Sequence, residues 1–342
     1  MDLSLPSLYI HVPFCTKKCH YCHFYVIPNR PEFVDQYMVA LKQEWEQKSH
    51  LLPACTSIYF GGGTPSLLGP DRIGEILSWL PTAHEITLEA NPESIAHFPA
   101  VNRLSIGIQS FDNKQLIKLG RTHSANDALR AIEKSGVDNI SIDLMYDLPN
   151  QTLNEWEETL HQAVALPIRH LSLYNLTIEP HTAFYKWKKR LALPPDELSL
   201  QLWERAIEII GARFRRYELS AFAQPGYESL HNMGYWTGRS FLGLGPSAYS
   251  YWEGARFRNP PHFHRWRQNV MLQEDYDKLS PEASERELLA LGLRLINGIK
   301  SPIDVDDLVM KGLIERQGAW VRLTALGQLF HDSVAAEIIA VD

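Results

Sequence analysis

From residue 7 to about 176, short apolar runs alternate with longer amphipathic stretches. The short runs, Ser7–Val12, Ser57–Phe60, Glu85–Ala90, Arg103–Ile108, Asn139–Leu144 and His170–Leu176, have the length and residue types of strands. Between most of them lie patterns with helical spacing: Pro31–Lys48, Asp71–Leu80, Ala125–Ser135 and Leu153–Leu166. The first opens with Pro31 and Glu32, a favourable helix start. Strand–helix alternation predicts a parallel sheet covered by helices. Six units are too few for a closed eight-stranded barrel, so the expected fold is α/β, a partial (β/α)6 TIM-like barrel. In such folds chemistry gathers at the carboxyl ends of the strands.

Each of those ends carries a glycine or polar feature. The first strand runs into Cys15, Cys19 and Cys22, and the second into Gly61-Gly62-Gly63-Thr64-Pro65. The third ends at Glu89 before Asn91-Pro92, the fourth runs into Gln109, and the fifth carries Asp143. That shared edge weighs more than any single motif.

After about residue 176 the texture changes. Pro180, Pro194 and Pro195 flank a basic-aromatic stretch, Phe184 to Arg190, followed by a helix, Asp196–Gly211, and a strand, Arg216–Leu219. The tail reads as helix, hairpin, helix and resembles a winged-helix unit from about residue 282. Two units are expected, a barrel over 1–180 and a covering domain over 181–342, since the 342 residues exceed the ~250–300 of one core.

Charge narrows the function classes. With 21% charged residues and a net charge of −7, the chain lacks the basic footprint of a nucleic-acid binder. The tail from Ser301 holds seven acidic against three basic residues, which would repel phosphates. No run approaches the ~20 apolar residues of a membrane span, and the opening residues lack a signal-peptide pattern. A cytoplasmic location is expected.

Only four cysteines are present, three of them in one loop with C-x3-C-x2-C spacing. A secreted disulfide scaffold would spread them. Cys55 reads as a small buried residue. Three thiolates in so short a loop converge and repel unless something positive lies between them. Two sites fit: zinc with a histidine (His11, His20 or His23), or a [4Fe–4S] cluster with one iron left open. The spacing favours the cluster. Glycines 61–63 let backbone N–H and C=O groups approach a charged small molecule, such as an amino-acid-like chelator of an open iron.

C-x3-C-x2-C with Tyr21 before the last cysteine, followed by GGGTP, resembles the radical S-adenosylmethionine superfamily. YIHVPFC, FGGGTPS, EANPE, RLSIGIQSF, LGRTH and DLMYDLP, over about residues 7–150, together resemble the oxygen-independent coproporphyrinogen III oxidase family. The resemblance implies cluster ligation by Cys15, Cys19 and Cys22, with S-adenosylmethionine contacted by Tyr9, Gly62 and Glu89. It implies a second such molecule at Tyr21, Gly63, Thr64, Gln109, Arg121 and Asp143. Glu89 and Asp143 suit ammonium or ribose hydroxyls, and Arg121 suits a carboxylate.

Departures from the oxidase pattern point to the haem-chaperone branch of that family. Phe24 stands where the oxidase has a fourth cysteine, only eight residues precede Tyr9, and His231-Asn232-x-x-Tyr235-Trp236 matches the branch motif. Asp147 replaces a usual glycine. A neutral imidazole at His231 is a suitable haem-iron ligand, and Tyr235 and Trp236 offer flat apolar surface. The stripe Arg256 to Arg267 interleaves cations and aromatics, suited to nucleic acid, to propionates or to a plain surface loop. The expectation is a haem chaperone, not itself membrane-spanning, that passes haem to an acceptor protein such as a respiratory haem enzyme or another membrane protein. The alternatives are oxidative decarboxylation of coproporphyrinogen III and a zinc-stabilised nucleic-acid-binding protein.

Overall fold

Six parallel strands stand side by side in chain order in the computed structural model, which describes residues 4–340. Residues 1–3 and 341–342, the outer ends of the two expected units, lie outside the described residues. The strands are β1 (Ser7–Val12), β2 (Ser57–Gly62), β3 (Glu85–Ala90), β4 (Arg103–Gln109), β5 (Asn139–Tyr146) and β6 (His170–Asn175). Helices α1 (Pro31–Lys48), α2 (Gly69–Trp79), α3 (Asn113–Leu119), α4 (Ala125–Lys134) and α5 (Leu153–Ala165) lie between them. Ser124 and Thr152 close capping boxes with Asp127 and Glu155, which is why α4 and α5 start where they do.

Strand side chains alternate between two faces. Leu8, Ile10 and Val12 of β1, Ile58 and Phe60 of β2, and Leu104, Ile106 and Ile108 of β4 are fully buried in one core with Trp45, Ile76 and Trp156 of the helices. The intervening positions, among them Tyr9, Tyr59, Glu89, Arg103 and Asp143, share the opposite, inner face of the curved sheet.

The barrel does not close. At one edge β6 pairs antiparallel with β8 (Ala221–Ala223), which pairs with β7 (Arg215–Glu218). At the other, β9 (Phe241–Leu244) runs parallel to β1 and continues into the antiparallel strands β10 (Tyr249–Trp252), β11 (Ala255–Arg258) and β12 (Glu274–Lys278). Strands from beyond residue 180 thus extend the same sheet on both sides and cover its open edges. The tail gathers a second apolar cluster, including Leu289, Leu293, Leu308, Val321, Val334 and Ile338, around the hairpin Ile314–Gln317 and Trp320–Leu323.

Asp147, the residue in place of the usual glycine, sits at φ 61°. A glycine adopts this left-handed backbone freely, and Asp is among the few side chains that tolerate it. Its carboxylate accepts hydrogen bonds from Asn175 and from the Ser199 hydroxyl at 2.7 Å, so the loop keeps its shape.

The cation–aromatic stripe from Arg256 to Arg267 is dispersed by folding. Arg256 pairs with Asp277 and Glu287, Arg258 with Asp275 and Arg265 with Glu274. Phe257, Phe263 and Trp266 are buried. His262, His264 and Arg267 stay exposed, but the cations and aromatics no longer form one interleaved surface.

Candidate functional site

The thiol loop leaves β1 through a short parallel pairing of Phe14–Cys15 with Ile27–Pro28, which ties its two ends together. Its middle is tied to the C-terminal end of α3. The His20 N–H donates to the Leu119 carbonyl at 3.0 Å, and His20 Nδ1 lies 2.8 Å from the Lys118 carbonyl. Cys15, Cys19 and Cys22 are all unpaired and partly exposed. Thr64 Oγ1 lies 3.6 Å from Cys15 Sγ, and Arg121 donates to Cys19 Sγ at 3.5 Å. Arg121 also donates to Asn91 Oδ1 at 2.6 Å and the Gly107 carbonyl at 2.5 Å, and Asn91 donates to Thr64 Oγ1 at 3.1 Å. Thr64, Asn91 and Arg121 therefore form a connected polar rim around the thiols.

Burial pushes the Cys15 thiol up to about 11; the Thr64 contact pulls it down, while Cys22 and Cys19 add to the rise. The mutual effect shows that the three sulfurs share one field. Among the described residues, no group of three His, Cys, Asp or Glu side chains is drawn together tightly enough for a single metal ion. Three thiols around a cube of iron and sulfide need no such closeness, so the donor set fits a cluster better than zinc.

On the inner face of the sheet, the Tyr59 hydroxyl donates to Glu89 Oε1 at 2.8 Å and the Gly62 N–H to Glu89 Oε2 at 3.1 Å. Tyr9 lies beside Tyr59, with ring centroids 6.2 Å apart. Burial raises Glu89 to about 7, the Tyr59 hydrogen bond opposes it, and Asp143 adds to the rise. Asp143 is itself raised to about 6, through burial first. Two interior carboxylates held above their ordinary range mark a place where a cation would be welcome. Gln109, at φ 73°, brings its amide near Gly107 and Arg121. Tyr21 packs against the cluster of Leu119, Met145 and Leu148. The strand-end residues anticipated for S-adenosylmethionine thus lie on one edge of the sheet.

Because the folded-state value of Glu89, about 7, lies above its ordinary 4.5, the stability it contributes is full below pH 4.5 and is lost as pH rises through 7. In ligand-free protein, Glu89→Gln is expected to flatten the fall in unfolding free energy between pH 5 and pH 7.5. Urea denaturation at both values checks it.

The glycines serve the protein's own packing. A Cβ on Gly62 would meet the His11 ring at 2.6 Å, and one on Gly63 would meet the Phe14 carbonyl oxygen at 2.5 Å. The N–H groups of Gly62, Gly63 and Thr64 are already given to Glu89, Val12 and Phe14. The expectation that these N–H groups await a ligand is corrected accordingly. Gly63→Ala should push away the strand that carries Cys15 and cost about 1–3 kcal/mol, readable as a lowered thermal midpoint.

His231 departs furthest from expectation. It lies in helix Leu230–Trp236, whose first N–H groups, of Leu230 and His231, donate to Glu85 at 2.9 and 3.0 Å. Its ring is 1% exposed, with Nδ1 3.0 Å from Ser57 Oγ and Nε2 2.8 Å from the Tyr235 hydroxyl. Both nitrogens are taken, and burial lowers its pKa to about 3. In this arrangement it cannot ligate iron, so that expectation is corrected. The backbone N–H of Asn232 donates to the Ser229 hydroxyl that caps the helix, and its half-buried side chain is not among those that line the adjacent cavity.

Tyr235 and Trp236 do face an opening. A cavity of about 680 Å³ lies between the thiol loop and strands β9 to β11, walled also by His23, Phe24, Tyr25, Arg239, Tyr249 and Tyr251. Its size suits a small-molecule ligand. The Trp236 indole N–H is buried and has no partner among the described residues. Sequence reasoning missed Arg239, Tyr249 and Tyr251. The alternation Tyr249-x-Tyr251 places two aromatics on one strand face and was the available signal.

Known proteins agree with this geometry. Residues 9–163 match the Radical SAM superfamily. The solved structure of coproporphyrinogen III oxidase from Escherichia coli, a radical SAM enzyme, superposes with a TM-score of 0.84. At 22% identity, with 99% of this chain and 91% of that one covered, it establishes the shared fold. Heme chaperone HemW of Bacillus subtilis is 33% identical over 96% of this chain and 98% of its own. Heme chaperone HemW of Synechocystis is 35% identical over 86% of this chain and 79% of its own. Similarity sustained from the thiol loop through the cavity strands, at nearly full length, leaves one conclusion: the chain belongs to the HemW haem-chaperone family within the radical SAM superfamily.

Proposed function

We propose that this protein binds haem and hands it to a haem-accepting protein, such as a respiratory haem enzyme, in the cytoplasm or at a membrane. No helix among the described residues is long and apolar enough to cross a membrane. Cys15, Cys19 and Cys22 would hold a [4Fe–4S] cluster. Tyr9, Gly62 and Glu89 would take up S-adenosylmethionine, with Tyr21, Gly63, Thr64, Gln109, Arg121 and Asp143 as the second set; Gly62, Gly63 and Thr64 would contribute by close approach rather than by their N–H groups, which are already spent. When bound, the cluster supplies a redox-active iron with one open coordination position. The protein's own residues would supply Arg121 beside Cys19, its Nε buried and unpartnered among the described residues, and the interior carboxylates of Glu89 and Asp143 on the inner face of the sheet.

One observation carries the haem reading. The aromatic cavity shares its wall with the thiol loop, because His23, Phe24 and Tyr25 directly follow Cys22. Phe24, in the place of the oxidase's fourth cysteine, is 54% exposed and lines that cavity rather than the thiol site.

The test is anaerobic reconstitution followed by haem titration and an assay for protoporphyrinogen. Uptake of about one haem per chain without product is expected. Turnover of coproporphyrinogen III would overturn the reading in favour of oxidative decarboxylation.

A further inference from the structure

Resting on the haem-carrying reading above, we propose that the cavity seats the tetrapyrrole with His23 as its iron ligand and Arg239 as the anchor for a propionate.

Consider the cations first. Arg256 is committed to Glu287 at 2.6 Å and Asp277 at 2.5 Å, and Arg258 to Asp275 at 2.6 Å. Arg239 differs. Its guanidinium donates only to neutral groups, the Ser7 hydroxyl at 3.3 Å and the Leu230 carbonyl at 3.1 Å, and has no carboxylate partner among the described residues. Glu85 acts on it through its field, but that carboxylate already accepts the N–H groups of Leu230 and His231. A partly buried guanidinium facing an aromatic cavity without a counter-charge is costly, and a ligand carboxylate would relieve it. The cavity therefore asks for a large, flat, apolar ligand with an acid group at its edge.

The imidazoles separate in the same way. His11 lines the cavity but is buried, with Nδ1 3.1 Å from the Tyr9 hydroxyl and Nε2 3.1 Å from the Tyr25 carbonyl. His231 is spent on Ser57 and Tyr235. His23 is exposed, lines the cavity, and makes a ring contact with Phe24 at 4.6 Å. It forms no hydrogen bond among the described residues. It is the cavity imidazole with its nitrogens free, and a neutral imidazole is a common haem-iron ligand. The HNMGYW helix then contributes walls, Tyr235 and Trp236, while its histidine braces the Tyr235 hydroxyl.

This placement has a functional consequence. His23 adjoins Cys22 in the chain, so the group that grips haem iron belongs to the loop that the cluster would order. Cargo and cluster are thereby read by one segment.

The experiment titrates ferric haem, and separately haem dimethyl ester, into the full-length protein, followed by Soret absorbance and electron paramagnetic resonance. In His23→Ala the Soret maximum and spin state should change, and free imidazole added to the buffer should restore them. His231→Gln, which keeps a hydrogen-bonding group beside Tyr235, should show no loss of an iron ligand that free imidazole restores. Arg239→Gln should weaken haem binding roughly 10- to 100-fold, as expected for losing a charge-assisted hydrogen bond, and leave ester binding unchanged. A spectrum indifferent to His23→Ala but altered by His231→Gln would overturn the ligand assignment. Equal losses for haem and its ester in Arg239→Gln would overturn the anchor. Haem binding indifferent to every substitution rejects the seat alone, whereas wild-type protein that takes up no haem rejects the haem-carrying reading itself.

Discussion

Glu44→Ala is expected to destabilise the fold by about 3–5 kcal/mol, because it leaves Lys48 charged and buried without its partner. Glu44 and Lys48, one turn apart on α1, are 0% and 2% exposed and form an ion pair at 2.5 Å. The same carboxylate accepts from Asn259 at 2.7 Å, the Trp266 indole at 2.9 Å and the Gly245 N–H at 2.8 Å. Every one of those donors comes from the C-terminal half. Glu44 is thus the polar pin between the first barrel helix and the strands that continue β1, in an otherwise apolar core. Glu44→Gln keeps shape and one amide donor but loses the charge, and should fall between wild type and Glu44→Ala. Urea unfolding of both variants measures this. An Ala variant within about 1 kcal/mol of wild type would show that water reaches Lys48 and that the pin is not needed.

The second large effect concerns iron. Replacing any one of Cys15, Cys19 or Cys22 with Ala should reduce reconstituted iron from about four per chain to near zero, since a cluster with one open iron has no spare ligand. The apo-protein should lose little stability, about 1 kcal/mol, because the thiols are only partly buried and form no disulfide. Cys55 is the control. It is 2% exposed and precedes β2, whereas the glycine loop that faces the thiols follows it. Six strand residues at ~3.3 Å each separate the two ends, about 20 Å. Cys55→Ala should keep its iron and lose modest stability from a small cavity. Iron and sulfide analysis alongside thermal unfolding distinguishes the outcomes. Iron loss in Cys55→Ala would mean that the loop reaches a fourth thiol.

Much of this was legible in the sequence, and the reason is range. Strand positions were readable because alternate burial has a period of two, and helix starts because capping boxes lie within four residues. β1, β3, α1 and the helix Asp196–Gly211 match their expected bounds, while other elements shift by a residue or two where the loop geometry takes over. The thiol spacing and the ordered polar features also survive, because a parallel sheet built from sequential units must put all its strand ends on one edge. Those features were therefore brought together by topology that alternation alone implies.

What needed the tertiary structure was everything decided by a partner far along the chain. His231 looks like a ligand in its hexapeptide, yet Ser57, 174 residues away, takes one of its nitrogens. The Gly62 and Gly63 positions look like a ligand cradle, yet His11 and Phe14 fill the space their side chains would occupy. Arg256 and Arg258 look like a cationic stripe, and acids brought in by β12 and the helix Pro281–Gly292 neutralise them. Conversely His23, one of three histidines the sequence offers near the thiols, stands out because folding leaves its ring without a hydrogen bond among the described residues, and Arg239 because folding gives it only neutral partners and no carboxylate. The sequence by itself determined the sheet, the loop chemistry and the family; which imidazole and which guanidinium remain free was decided only by packing, because hydrogen-bond satisfaction is a property of neighbours in space.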